Sequence, residues 1–237
     1  MISVIVPIRN EGPEVAARFA QFARRPDAEL LIADGGGDAR TSAAFTAAGA
    51  RVVAAEGSRG RCLDLAAREA RGQILLFYHA DSRPPENALE AVREALEDGA
   101  VAGAFSLAYE NAGPGMRWIA WWANTRSRLL GLPFGDQGLF CRREDYERAG
   151  RFRDIPICDD LDLVRRLRLL GPVAIRREKS VTSPRRYRET GPLRQMLRNW
   201  RVQIGYFAGV DPETLARWYS RGAGNAVSSS SRRRRPE

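Results

Sequence analysis

Ile2 to Pro7 is a short run rich in β-branched apolar residues that stops at a proline. Such a run suits a strand buried on both faces, as the central strands of a parallel sheet are. The pattern then repeats with helix-length spacers. Pro13 to Arg25 sets Val15, Ala16, Phe19 and Phe22 at roughly helical spacing, with Pro13 in a first-turn position and Pro26 past the end. A strand at Leu30 to Ala33, a helix near Thr41 to Ala48, a strand at Arg51 to Ala54, a helix near Arg61 to Ala70 and a strand at Gln73 to Tyr78 follow. Strands alternating with helices predict right-handed βαβ units: an α/β fold with a mostly parallel central sheet flanked by helices.

Beyond Pro84-Pro85 a helix is expected to about Glu97, and Val101 to Tyr109 alternates as a strand that would make the sheet mixed. An aromatic-rich helix over Gly113 to Gly131, a short strand at Gln137 to Arg142, a helix over Leu161 to Leu170 and another over Leu193 to Phe207 complete the reading. Trp118, Trp121 and Trp122, with Ile119, are expected in the core or along the acceptor side of a site, and Trp200 in the core. No internal repeat or long linker divides the chain, so residues 1–226 are expected to form one domain. Residues 227–237, with Ser228 to Ser231 followed by Arg232 to Arg235, are expected to be a disordered, solvated tail.

The composition bears on partners. Among 237 residues, 44% hydrophobic and 28% charged side chains exclude a disordered or fibrous chain. The net charge is +9, and all but one of the 38 basic residues are arginine, a bias that by itself does not indicate a specific nucleic-acid partner. Asn124, Arg126 and Arg128 interrupt the most apolar stretch, Trp118 to Leu132, so no transmembrane segment is expected. Cys62, Cys141 and Cys158 match neither a disulfide framework nor a metal knuckle and are read as reduced thiols. With no charged leader, the expected location is cytoplasmic, with peripheral contact at the inner face of the membrane left open.

In an open α/β sheet, ligands bind beyond the carboxyl ends of the strands. Three of those ends carry distinctive polar sequence: Arg9-Asn10-Glu11, Asp34-Gly35-Gly36-Gly37-Asp38 and His79-Ala80-Asp81. The first turn lacks the glycines of a dinucleotide-binding loop, and no phosphate-binding loop ending in Gly-Lys-Ser/Thr occurs.

Ser3-Val4-Ile5-Val6-Pro7-Ile8-Arg9-Asn10-Glu11 and Asp34-Gly35-Gly36-Gly37-Asp38-Ala39-Arg40-Thr41, followed in order by Tyr78-His79-Ala80-Asp81, Gly135-Asp136-Gln137-Gly138 and Cys158-Asp159-Asp160-Leu161-Asp162-Leu163, resemble glycosyltransferase family 2 enzymes of the GT-A fold. The His-Ala-Asp and Gly-Asp-Gln variants are similar to a soluble subgroup called radical-SAM/selenodomain-associated transferases. The resemblance implies metal-assisted transfer of a sugar, with inversion, from a nucleotide donor, UDP-linked in the first instance, to an unidentified acceptor. It implies that Pro7, Arg9, Asn10, Glu11, Asp34, Gly35, Arg61, Ala80 and Asp81 hold the nucleotide. Asp81 would bind Mg²⁺ or Mn²⁺, with His79 at the position where the family has a further Asp.

By the same resemblance Asp160 is the general base and Asp159 orients the acceptor. Asp136, Gln137 and Trp122 would lie on the acceptor side. A carboxylate needs a partly desolvated setting to approach the pKa of about 6 to 7 that suits a base at neutral pH. Arg185 and Arg186, after the last strand, could face the departing diphosphate, and Arg59-Gly60-Arg61 at a helix start is a second candidate. Each assignment has a plainer rival: Asp34 and Asp38 as turn formers, Asp81 as a strand end, Asp159, Asp160 and Asp162 as helix-capping acids, His79 as a hydrogen-bonded orienter. A sugar-phosphate nucleotidyltransferase and a non-catalytic nucleotide- or nucleic-acid-binding protein are the alternative functions.

Overall fold

A computed structural model describes residues 1–220; the expected tail at 227–237 lies outside them. The elements run β1 (Ile2–Ile8), α1 (Ala16–Ala23), β2 (Ala28–Asp34), α2 (Ala39–Ala47), β3 (Arg51–Ala54), α3 (Arg59–Glu69), β4 (Ile74–Phe77) and β5 (Ser82–Arg83). Then come α4 (Ala88–Glu97), β6 (Ala102–Tyr109), α5 (Pro114–Leu130), β7 (Leu139–Arg142), α6 (Arg143–Arg148), α7 (Asp159–Arg168), β8 (Val173–Thr182), α8 (Arg185–Thr190), α9 (Pro192–Phe207) and α10 (Pro212–Ser220). They sort into two compact units, one of residues 1–155 and 159–184, the other of residues 156–158 and those from 185 onward.

The first unit holds one eight-stranded sheet in the order β3-β2-β1-β4-β7-β6-β8-β5. β1 pairs in parallel with β2, from Ile2↔Ala28 to Ile8↔Asp34, and with β4, from Ile2↔Ile74 to Ile5↔Phe77. Six of its seven residues are buried, which is why it reads as a run and not as an alternation. The chain moves outward from β1 to β3 and returns to the other side of β1 with β4, so the order reverses beside β1. Polar loops after β1 and β4 therefore open on a topological switch point, where such sheets bind ligands. β7 runs antiparallel to β4 and β6, and β6 pairs in parallel with β8, so the sheet is mixed as expected.

Helix α4 buries Ala88, Leu89, Ala91, Val92, Ala95 and Leu96 against this sheet. An aromatic file crosses the core: Phe19 to Tyr78 at 6.0 Å, Tyr78 to Phe105 at 6.1 Å and Phe105 to Phe140 at 5.8 Å between ring centroids. Gly103 on β6 passes the Phe140 ring so closely that a Cβ there would overlap its edge. β5, α6, α8 and α10 were not expected from the sequence, and three further differences have local reasons. Helix α7 begins two residues early because Asp160 Oδ1 accepts from the Leu161 N–H, satisfying a first-turn donor at 2.8 Å. Strand β7 begins two residues late because Gly138, at φ +69°, ends a tight 3₁₀ turn over Gly135–Gln137. β8 carries Arg176, Arg177, Glu178 and Lys179 in its middle and so lacks an apolar signature.

In the second unit α9 packs on α10. Leu215 is fully buried, and Arg198 and Arg201 lie over the rings of Tyr219 and Trp218 at 4.0 and 4.5 Å. Trp200 is half-buried on α9. All three cysteines are buried. Among the described residues no helix is long and apolar enough to cross a membrane.

Candidate active site

Arg9, just past β1, reaches sideways along the sheet edge. Its Nε donates to the Gly35 carbonyl at 3.1 Å and its NH2 to the Gly57 carbonyl at 2.9 Å, so one side chain joins the turns after β1, β2 and β3. The turns also touch through backbone: a Cβ on Gly37 would lie 2.9 Å from the Asn10 nitrogen. Asn10 itself sits at φ +58°. Thr41 Oγ1 donates to the Glu11 carbonyl at 2.5 Å, binding the first turn to α2. Asp34 accepts from the Gly36 N–H at 3.0 Å through Oδ1 and from Ser42 through Oδ2. A carboxylate has about four acceptor positions, so Asp34 holds its own turn and keeps capacity for a ligand. Asp38 caps α2 through the Arg40 N–H at 2.9 Å and is a helix-start residue.

The centre of the edge is built around Arg59, the first residue of α3. Its guanidinium grips Asp159 at both oxygens, Nε to Oδ2 at 3.0 Å and NH2 to Oδ1 at 2.5 Å. It also stands 3.5 Å from Asp160 Oδ2 and 2.8 Å from His79 Nε2. A guanidinium only donates, so that ring nitrogen accepts, and the contact supports an orienting role for His79. Gly60 lets this happen: a Cβ there would lie 2.6 Å from the Arg153 carbonyl and 3.0 Å from the Asp159 Cβ. Arg61, two residues further on and so on the opposite side of the helix, faces Asp154 at 3.4 Å, and its N–H is capped by Ser58 Oγ at 3.2 Å.

Asp160 is held from three sides. Gly135 N–H donates to Oδ2 at 2.8 Å, Leu161 N–H to Oδ1 at 2.8 Å, and Arg59 lies beyond. Burial pushes its pKa up, but Arg59 and the two N–H groups outweigh that and hold the carboxyl below the ordinary range. Asp159, with a side chain only 4% exposed, goes the other way: burial and the neighbouring Asp160 charge raise it against the pull of Arg59. Gly135 fits only as glycine, since a Cβ would sit 2.5 Å from His79 Nε2 and 3.0 Å from Asp160 Oδ2. Cys158, at φ +63° directly before Asp159, is a side-chain-bearing residue in the left-handed region.

Asp136 differs from the other acids. Its carbonyl takes Ser180 Oγ at 2.8 Å and Ser82 Oγ at 3.3 Å, which fixes the turn beside the loop that carries Asp81. Its Oδ1 is buried without a hydrogen-bond partner. Burial and the charges of Asp160 and Asp81 push its pKa up to about 7, against Arg126 and Arg59. Gln137, expected on the acceptor side, is turned into the interior. It is entirely buried, its Nε2 donates to the Phe105 carbonyl at 2.9 Å, and its Oε1 takes the Phe134 N–H at 3.1 Å and Ser127 Oγ at 3.0 Å. Among the described residues no group of three His, Cys, Asp or Glu side chains is arranged to hold a metal alone.

Pro7 pairs with Ala33 inside the sheet, and Ala80 is buried, its carbonyl taking Arg18 at 3.4 Å. Arg185 and Arg186 open α8 in the second unit, both exposed. Of the two places expected for the α5 tryptophans, the core is not the one they take: Trp118, Trp121 and Trp122 are 51%, 58% and 40% exposed, while Ile119 and Ala120 turn inward. Arg59 itself is the residue whose role sequence reasoning undervalued. It was readable only as a basic residue at a helix start, because its partners lie 20 and 100 residues away.

The sequence profile of the family described as Glycosyl transferase family 2 matches residues 3–144. No curated protein matches the chain. Among solved structures the fold is similar to TarS 1-349 of S. aureus in complex with UDP-GlcNAc, at TM-score 0.60 and 15% identity over 77% of this chain and 58% of that one. The chain thus spans less than two thirds of that structure. A mannosyltransferase, PcManGT, from Pyrobaculum calidifontis in complex with GDP-Man and Mn²⁺ gives TM-score 0.61 and 18% identity over 97% and 76% of the two chains. Glucosyl-3-phosphoglycerate synthase from Mycobacterium tuberculosis in complex with Mn²⁺, UDP and phosphoglyceric acid gives 0.55 and 20% over 77% and 69%. At these identities the likeness concerns the fold.

Proposed function

Because the chain belongs to glycosyl transferase family 2, we propose that it transfers a sugar from a nucleotide donor, UDP-linked, to an acceptor with inversion at the anomeric carbon and with help from a divalent cation. The observation that carries this is the set of acids with diverging environments at the switch point of the sheet: Asp160 held as a carboxylate, Asp136 pushed up to about 7, and Asp81 beside them. Pairs of carboxyls driven apart in this way are how one site keeps a fixed charge and a titrating group together.

The residues fit a hard cation. Asp136 Oδ1 is a buried oxygen without a protein partner, next to the Asp81 charge, and one or two carboxylates plus phosphate oxygens are what Mg²⁺ or Mn²⁺ takes in such sites. Asp81 and Asp136 would hold it, and the cation would neutralise the leaving diphosphate. Arg9, Asn10, Glu11, Asp34 and Gly35 form the edge on which the nucleoside rests. Asp160, ionised and held below the ordinary range instead of raised toward the pKa of about 6 to 7 expected of a base, would take the proton of the attacking hydroxyl as a fixed carboxylate positioned by Gly135 and Leu161; Asp159 is the buried counter-charge that fixes Arg59, and His79 braces that guanidinium.

The test compares wild type with Asp160→Asn in release of nucleoside diphosphate from a panel of nucleotide sugars with Mn²⁺. Wild type is expected to release one diphosphate, and the variant to bind the nucleotide equally but turn over at least about 10²-fold more slowly. Equal turnover in the two proteins removes Asp160 from the chemistry.

A further inference from the structure

Helix α5 spans 17 residues, about 25 Å, and contains no acidic residue. Trp118, Trp121, Trp122 and Leu129, at i, i+3, i+4 and i+11, share one face, and all four are exposed, Leu129 at 78%. Arg117, also exposed, lies beside that face, while Arg128 is tied back to Ser106 Oγ at 2.9 Å. The opposite face is locked. Asn124 bonds both backbone groups of Leu107, accepting from its N–H at 2.7 Å and donating to its carbonyl at 3.0 Å. Ser127 Oγ donates to buried Gln137, and Ile119 and Ala120 pack inward. The helix cannot roll about its axis to hide the indoles without breaking these bonds, so their exposure belongs to the native fold.

An exposed patch of this size on a folded protein marks a contact surface. Its chemistry selects the partner. Three indoles with an aliphatic neighbour and an adjacent guanidinium are the pattern of a helix lying in a bilayer interface, indoles at headgroup depth and the arginine on anionic phosphates. The net charge of +9 adds long-range attraction of the same sign.

We propose that the outward face of α5 docks on an anionic phospholipid bilayer, placing the protein on the membrane without spanning it. The test is co-sedimentation and tryptophan emission of the full chain with vesicles of phosphatidylcholine alone and of phosphatidylcholine enriched in phosphatidylglycerol. Wild type is expected to pellet with the anionic vesicles, with a blue-shifted emission and with binding that weakens as salt rises. Trp118→Ala/Trp121→Ala, at positions too exposed to unfold the protein, should weaken binding about tenfold or more, the loss expected for two half-exposed indoles. Arg117→Gln should weaken it by a smaller, salt-sensitive factor.

The basic run Arg232 to Arg235 is present in every variant, so only a tryptophan-dependent difference supports the proposal. Absence of binding to anionic vesicles overturns it. So does binding unaffected by the double substitution, or concentration-dependent self-association that removes the tryptophans from solvent.

Discussion

Replacing Arg59 by Met keeps the aliphatic stem and removes the one cation that faces Asp159, Asp160 and His79 together. Asp159 is then a buried carboxylate, 4% exposed, without a counter-charge. Breaking a buried pair by removing one partner costs about 3 to 5 kcal/mol. The Arg59 side chain is 36% exposed, so water screens part of the interaction, and about 3 kcal/mol is the appropriate figure. For a chain of this length that lowers Tm by roughly 6 to 12 °C.

The cost should depend on pH with a definite sign. In the variant Asp159 loses Arg59, the main group that lowers it, and burial holds its folded-state pKa still further above that of the unfolded chain. A raised folded pKa stabilises at low pH and is lost as pH rises through it. Urea denaturation at pH 5 and pH 8 should therefore show a larger gap between wild type and variant at pH 8. Asp159→Leu added to Arg59→Met should recover much of the loss, since apolar replacement of a buried pair is close to neutral. An unchanged Tm, or a gap independent of pH, would refute the claim that Arg59 is the electrostatic centre of the site.

Other outcomes follow from single contacts. Gly135→Ala should destabilise by about 1 to 3 kcal/mol, because a Cβ 2.5 Å from His79 forces the ring or the turn to move, and turnover should fall more than binding as the displaced turn weakens its N–H bond to Asp160; thermal melts and kinetics separate the two. Asp136→Asn tests the raised carboxyl. Wild type keeps a proton on Asp136 up to about pH 7 that the unfolded chain releases near 4, so it loses stability across that window and the variant does not. In EDTA the variant should gain on wild type from pH 4 to 8 by on the order of 2 to 4 kcal/mol, and a pH-independent difference would remove the assignment. The same variant should bind Mn²⁺ more weakly in the presence of nucleotide, measured by the paramagnetic signal of free metal.

The half of the sheet that forms the site was legible because burial on both faces leaves runs such as Ile2 to Pro7 that only a central strand explains. The polar ends of those strands pointed to the edge where Arg9, Asp34 and Asp81 lie. What stayed hidden depends on contacts distant in sequence. Arg59 and Asp159 are 100 residues apart, and no local pattern distinguishes a guanidinium aimed at a carboxylate from one in solvent. Asp136 was expected on the acceptor side, and no local pattern shows that its oxygen is buried without a partner among other charges. The α5 tryptophans show why aromatic periodicity is ambiguous: spacing places them on one face, and only the bonds of Asn124 and Ser127 decide that this face is turned outward. β8 escaped notice because alternation fails where a strand carries four charged residues in succession.

Calorimetric titration of the full chain with UDP, GDP and CDP, each with Mn²⁺ and with EDTA, tests the central claim most directly. The account predicts that UDP binds in the presence of Mn²⁺ and at least about tenfold more weakly in EDTA, a difference of about 1.4 kcal/mol. No binding of any diphosphate, or binding of equal strength without metal, would contradict it.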